Sequence, residues 1–544
     1  MSRSALLFAF LSCFVALLLL ARVKAPAAFD RIAQLVESRR FWFPSALVVL
    51  AVYAALLVLN TAYPSYLDHV EPTIASVSWL VLKGKPAYHA LDSAARYTLL
   101  YGPATYLIFA TALWLLGAAT LSLKCMVLLL NIVMVFFLWR TFCTLVNARA
   151  ALLVTTLVLL FIYVPRPNHY LLTVRADILI MSAVAVGLWG ATRRSGLAGP
   201  AALAVAAAVI VDAKASGLVY TVPLFAILWQ LRGWRVPICV GMSAACVALL
   251  PFLLPNVSAV AYVTWLGRAA KHPSSFIDLL STLRTVPLLL APLLLILGPT
   301  PWRDTKFVAF LREDGLVLAT LALCFASGLL ASRRIGAGSH HLLAVVPVLG
   351  YEYTRLFNAL GGLGLAKRWP WQSRALCACL ALVVFNRVGG GLLEFGTKCG
   401  AWRATVTIRD EVRSVLASYP GTPVEMGYGA TVDGRVYLRP ELVFATNHML
   451  VDEVALSDMS MDGMPMPSAT VNALETCAIW LIPRGEEPFS LPNTFAQYYP
   501  ALVGKEPLFS QAFRDEFRRR YTKVQSTRSF DLWGCRDRGV SPGR

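Results

Sequence analysis

Apolar runs separated by short charged loops set the pattern of this chain from its start to about residue 390. Stretches of about 18 or more apolar residues read as membrane-spanning helices, and runs of 10–14 as buried, interfacial or re-entrant ones. Residues 4–20 form the first run. They follow Arg3 in the manner of a signal peptide, but Pro26 stands just after the small-residue site at Val23-Lys24-Ala25, so an uncleaved helix is expected. Further runs lie at 44–59, 104–116, 121–139, 150–164, 178–189, 200–211, 217–229, 236–254, 286–297, 316–330, 342–357 and 375–385.

Charge orients these runs. Arg22, Lys24, Arg31, Arg39 and Arg40 make a basic loop that belongs in the cytoplasm, so 44–59 crosses outward and delivers Asp68 to the external face. If every run crossed, Arg140, Arg149, Arg193 and Arg194 would lie outside, against the positive-inside rule. The conflict disappears if the short run 104–116 is interfacial or re-entrant. About twelve spans remain, and the charged stretch around Arg303 to Asp314 reads as a cytoplasmic loop. Residues 165–177 (with Arg166, Asn168 and His169), 212–214, 256–284 and 332–341 read as external loops.

Near Leu392 the composition changes to that of a soluble domain. An amphipathic helix at 408–419, strands at 423–428 and 478–483 and a basic helix at 511–520 suggest a small extracytoplasmic α/β domain. The expected architecture is thus a polytopic α-helical membrane protein in three parts. Residues 1–42 hold the first helix and basic loop, 43–392 the main transmembrane domain, and 393–544 the α/β domain.

The composition agrees. Of 544 residues 58% are hydrophobic, with mean hydropathy +0.63, which excludes an ordinary soluble protein. The formal charge of +19 need not signify nucleic acid, because Lys and Arg gather in cytoplasmic loops of membrane proteins. No nucleic-acid partner is expected. Of eleven cysteines, Cys13, Cys125, Cys143, Cys239, Cys246 and Cys324 lie in apolar runs. Cys399, Cys477 and Cys535 lie in the tail and allow at most one bridge among themselves, if that tail faces an oxidising compartment. Neither a repeat nor a phosphate-loop motif is present.

The chemistry concentrates between residues 62 and 106. Asp68 and Glu71 precede Pro72, which suits the first turn of a helix, and Gly84 suits its end. The predicted element is a short helix along the membrane surface with both acids at its N-terminus, where they cap the helix or do chemistry. The external face as a whole collects Asp68, Glu71, Lys83, Lys85, Arg96, Arg166, Arg175, Asp177, Asp212, Lys214, Arg268, Lys271, Arg333, Arg334, His340 and His341. Ten of these are Lys or Arg, on the side where such residues are sparse. They either snorkel to headgroups or form a cationic pocket for a lipid phosphate, beside carboxylates able to act as general base.

The pattern resembles the GT-C glycosyltransferases of the protein-mannosyltransferase and aminoarabinose-transferase type, over about residues 43–360. The motifs that carry the likeness begin with Asp68-His69-Val70-Glu71, Gly84-Lys85-Pro86-Ala87-Tyr88 and Tyr101-Gly102-Pro103. Arg175-Ala176-Asp177, Lys214-Ala215-Ser216-Gly217-Leu218 and Gly336-Ala337-Gly338-Ser339-His340-His341-Leu342-Leu343 follow in order. His69-Val70 departs from the adjacent Asp-Glu of many members and leaves open which acid is the base. The resemblance implies an inverting transfer from a polyprenyl-phosphate-linked sugar to a hydroxyl of a lipid, glycan or protein, and the Ala/Leu/Arg-rich composition suggests a bacterial inner membrane. Asp68 would be the base and Asp177 the second acid, orienting the acceptor or a divalent cation. Glu71 would be a further catalytic residue, second to Asp68, or else a cap or a metal ligand, although no ligand set fixes such an ion. Lys85, Arg175, Lys214, Arg333 and Arg334 would hold the lipid phosphate, with His340 or His341 assisting. A transporter or flippase of a lipid-linked or anionic solute, and a polysaccharide polymerase or ligase, are the competing readings.

Overall fold

The computed structural model describes residues 39–98, 100–162, 170–297, 305–361, 370–493, 495–496 and 506–536. The first apolar run, Arg22, Lys24 and Arg31, and Arg166, Asn168 and His169 lie outside these residues. The helices of the first part are α1 (Arg39–Ala62), α2 (Val70–Leu82), α3 (Pro103–Leu116), α4 (Thr120–Phe142), α5 (Ala148–Ile162), α6 (Ala176–Thr192) and α7 (Ala198–Ala213). There follow α8 (Gly217–Arg232), α9 (Arg235–Leu249), α10 (Ala259–Ala269), α11 (Phe276–Leu283), α12 (Val286–Leu297), α13 (Thr305–Ala331), α14 (Val346–Ala359) and α15 (Pro370–Ser418). At the centre stands α6, buried along nearly its whole length against α4, α7, α8 and α14. A helix apolar on all sides belongs in such a place.

Among the described residues, four helices are long and apolar enough to cross a membrane: Trp42–Ala62, Thr120–Phe142, Arg235–Leu253 and Thr305–Ala331. Six shorter apolar helices of 10–17 residues pack among them, and these described helices do not fix the expected count of about twelve spans. The stretch read as a cytoplasmic loop up to Asp314 is helical from Thr305 onward. Its signal was periodic rather than compositional: Phe307, Phe310, Asp314, Val317, Leu321 and Cys324 recur at helical spacing and are buried. Residues 256–284, expected as a loop, form α10 and α11.

Two elements read separately, at 375–385 and 408–419, are parts of one 49-residue helix, α15. At 1.5 Å per residue it is roughly 74 Å long. Gly389, Gly390 and Gly391 lower local helix propensity and made the sequence look interrupted. The change of composition near Leu392 therefore falls inside a continuous helix.

Beyond α15 a four-stranded sheet forms from β1 (Val424–Met426), β2 (Ile479–Pro483), β3 (Tyr521–Ser526) and β4 (Phe530–Cys535), in the order β1-β2-β4-β3. The β1–β2 pair is parallel, and β4 runs antiparallel to both its neighbours. The connecting helices are α16 (Arg439–Thr446), α17 (Glu453–Met461), α18 (Ser468–Asn472) and α19 (Gln511–Arg520). Phe489, Phe509, Phe513, Phe517 and Trp480 pack edge to face or tilted as the core of this part. Cys477 and Cys535 form a disulfide, while Cys399 is exposed on α15.

This domain is fastened to α2. Arg439, 1% exposed, pairs with Asp452 at 2.6 Å and Glu453 at 2.7 Å and donates to Thr73 Oγ1 at 2.9 Å. Thr73 donates in turn to Asp452 Oδ2, and Trp79 Nε1 to Asn447 Oδ1. Arg96 adds a bridge to Val451.

Candidate active site

The site starts with how α2 begins. Asp68 Oδ1 accepts from the Val70 N–H at 2.8 Å and the Glu71 N–H at 3.2 Å, which caps the first turn. Glu71 turns back: Oε1 accepts from the Leu67 and Asp68 N–H groups, and Oε2 from the Val174 N–H at 2.7 Å. Fully buried, this carboxyl is raised by desolvation and then by the nearby Asp68. Its hydrogen bonds tie the first loop to the segment before α6. Glu71 is thus a brace, whereas Asp68 keeps Oδ2 for another partner.

That partner is Arg175, the residue before α6. Its guanidinium lies 3.1 Å from Asp68 Oδ2 and 3.9 Å from Asp177 Oδ2, stacked 4.7 Å over the Tyr170 ring. Arg175 Nε and Asp177 Oδ2 are buried without a hydrogen-bond partner, so the pair retains capacity for a further polar group. Beyond Asp177 lies a small recess, lined also by Met181, Lys214, Tyr220, His340 and His341. Lys214 Nζ is 3.3 Å from His340 Nε2. Desolvation, opposed by Asp177, lowers the Lys214 ammonium from its usual range. Burial, and then Lys214, hold both imidazoles well below the ordinary histidine range, so they are neutral. The ring of His340 lies 5.0 Å from Tyr170 and 4.5 Å from His341, and Tyr220 Oη donates to the His341 carbonyl.

Two of the glycine motifs are explained by close approach. Tyr101 pairs with Lys214, the Gly102 N–H donates to the Ala213 carbonyl, and a Cβ on Gly102 would stand 1.8 Å from the Asp212 carbonyl oxygen. A Cβ on Gly217 would stand 1.9 Å from the Ile210 carbonyl oxygen. Backbone must pass where a side chain cannot fit, and this contact sets Lys214 into the pocket.

The structure therefore brings together Asp68, Arg175, Asp177, Lys214, His340 and His341, with Glu71 bracing them. It does not bring in Lys85, which is exposed beyond the far end of α2, about 20 Å from Asp68 along a 13-residue helix. Arg333 and Arg334 are also exposed; Arg334 donates to the His272 carbonyl, and the Arg333 carbonyl accepts from the Ser275 N–H. The sequence reading passed over Lys124 and Tyr220. Lys124 is 1% exposed, and its Nζ donates to the carbonyls of Asn60, Tyr63 and Ser65, which fixes the loop leading to Asp68. An isolated charge inside an apolar span was the available signal. Among the described residues no three His, Cys, Asp or Glu side chains gather as a metal-ligand set, so no step is assigned to a divalent cation.

No protein-family model matches this sequence, and no curated protein matches it. Solved structures do. ArnT from Cupriavidus metallidurans bound to undecaprenyl phosphate superposes with a TM-score of 0.50 at 14% identity, covering 90% of this chain and 97% of that one. The apo form gives 0.49 at 13%, with 89% and 97% covered. The oligosaccharyltransferase AglB from Archaeoglobus fulgidus, in complex with an inhibitory peptide and a dolichol-phosphate, gives 0.38 at 10%, with 90% and 74% covered. Identity this low speaks to architecture. This chain shares the fold of ArnT, and four of its described helices are long and apolar enough to cross a membrane.

Proposed function

We propose that this protein transfers a sugar from a polyprenyl phosphate to an acceptor hydroxyl, with inversion, on the extracytoplasmic face of a bacterial inner membrane. The observation that carries the reading is the ion cluster itself. One arginine joins two carboxylates beside a pocket that holds a buried lysine and two neutral histidines. ArnT, which shares the fold, binds undecaprenyl phosphate, and the cations beside this recess suit the phosphate of the same class of donor. The Cys477–Cys535 bridge fits an oxidising compartment. Because its domain is fastened to α2, the site would face that compartment as well.

In this mechanism Asp68 Oδ2 takes the proton of the acceptor hydroxyl as its oxygen attacks the anomeric carbon. The bond from that carbon to the phosphate oxygen breaks on the opposite face, which inverts the configuration. The leaving lipid phosphate departs already ionised, so Lys214 and Arg175 stabilise it without a general acid. Asp177 and the neutral His340 orient the reacting groups. Lys85, Arg333 and Arg334 stand apart from this step, and residues 393–544 serve to brace α2.

The test uses the full chain in nanodiscs with undecaprenyl-phosphate-linked sugars and an envelope extract as acceptor. Asp68→Asn is expected to cut transfer by about 10²–10⁴-fold while undecaprenyl phosphate still binds. Unchanged transfer in that variant would remove Asp68 as the base. Solute uptake by acceptor-free proteoliposomes would point to transport instead. Against transport stands the position of the cluster, at the helix ends that carry the C-terminal domain.

A further inference from the structure

The segment after α9 was expected to be a loop, yet it forms two helices whose inner and outer sides differ in chemistry. The inner side is clamped: Trp265 Nε1 donates to the His89 carbonyl, Arg268 pairs with Asp462 at 3.1 Å, and the Ser275 N–H donates to the Arg333 carbonyl. The outer side is bare. On α10, Val260 is 79% exposed and Val263 65%; on α11, Phe276 is 68% exposed and Ile277 67%, with Leu280 and Leu283 following on the same face. This spacing gives each helix an apolar stripe directed away from the protein.

Both stripes end in cations. Lys271 continues the α10 stripe, and Arg284 follows the last turn of α11 on the same face as Ile277 and Leu280; both are exposed. Arg333 and Arg334, joined to the start of α11 through Ser274 and Ser275, add two more exposed guanidinium groups. Among the described residues none of these four makes an ion pair. Shortly before α10 in the chain stand exposed Leu249, Leu250 and Leu253, at the end of a helix long and apolar enough to span the bilayer.

We infer that α10 and α11 form a hairpin that lies in the membrane interface on the side of the candidate site. Its apolar stripes enter the acyl boundary, and Lys271, Arg284, Arg333 and Arg334 bind the phosphates of anionic phospholipids. An apolar face edged by Lys and Arg is the surface that such a lipid layer matches. The cations the sequence offered to a donor phosphate then serve the surrounding membrane, which anchors the rim of the pocket.

The experiment places an environment-sensitive fluorophore on Ile277→Cys in the full chain, in nanodiscs of phosphatidylcholine with or without phosphatidylglycerol. The unsubstituted protein, labelled in parallel, accounts for the exposed native Cys239, Cys246 and Cys399. A label on Thr476→Cys, in an exposed turn of the C-terminal domain, is the aqueous control. Quenching at 277 by brominated lipid but not by aqueous iodide is the expected result. Iodide quenching equal to that of the control overturns the inference; so does protection from both quenchers, which would mean a protein covers the face. In the second arm, native mass spectrometry counts retained lipids. Each cation changed to Gln is expected to lower the preference for phosphatidylglycerol about fivefold at low salt. No change in preference in the quadruple variant overturns the phosphate contacts.

Discussion

Single residues here do their work by where they hold backbone. Lys124 stands in a span, yet its three donors go to carbonyls of the segment that ends in Asp68. Lys124→Met leaves three buried acceptors unpaired, each worth about 1–3 kcal/mol. A lowered melting temperature together with reduced transfer is expected in detergent; an unchanged melting temperature would show that water takes over the carbonyls. The two pocket histidines make a pH prediction. Burial lowers their proton affinity in the folded protein, while the unfolded chain titrates near 6.5. Their contribution is therefore complete above that pH and declines as pH falls through it, by up to about 1.4 kcal/mol per unit per histidine. Melting curves between pH 8 and pH 5 should fall more steeply for the wild type than for His340→Gln/His341→Gln. Equal slopes would mean that the imidazoles are not held neutral. Asp68, Asp177 and the histidine pair were legible because ionisable residues at the mouths of apolar helices are conspicuous. Lys124 was passed over because its partners are carbonyls, which carry no side-chain pattern.

At the scale of elements, loop motifs are steric as much as chemical. The turn before α3 and the turn after α7 share a backbone contact at Gly102, with room for no Cβ. Gly102→Ala is expected to push the 101–103 turn off Ala213, withdraw Lys214 from the pocket and weaken undecaprenyl phosphate binding. A strain of about 1–3 kcal/mol should accompany it. Binding at the wild-type level, measured by tryptophan quenching, would show that the turn moves without Lys214. The apolar runs located α4, α6 and α8 to within three residues at each end. Where charge or glycine interrupted a helical period the reading failed: the first turns of α13 and the middle of α15 were taken for loops or breaks. Periodicity survives such interruptions because a helix needs only one buried face, while a tally of apolar residues does not register it.

Across the whole molecule, the question is how a soluble domain comes to matter to a site in the helical bundle. Among its contacts with the membrane part is the fully buried set that Arg439, Asp452 and Glu453 form with Thr73 of α2. None of this was visible in the sequence, since the partners lie 366 to 379 residues apart and form no motif. Arg439→Met removes the shared cation and leaves two carboxylates buried beside α2, a change that costs about 3–5 kcal/mol when one side of a buried pair is lost. The residues that stand free of that set are Asp68 and Arg175, held from the other side by Glu71 and Val174. Hydrogen exchange in Arg439→Met should rise first along α2 and α16–α17, with α6 still protected. Transfer should then fall because α2, whose first turn Asp68 caps, loses its support. Protection of α2 at the wild-type level would mean that α2 holds its position through the bundle alone, and that the domain is a passenger on it.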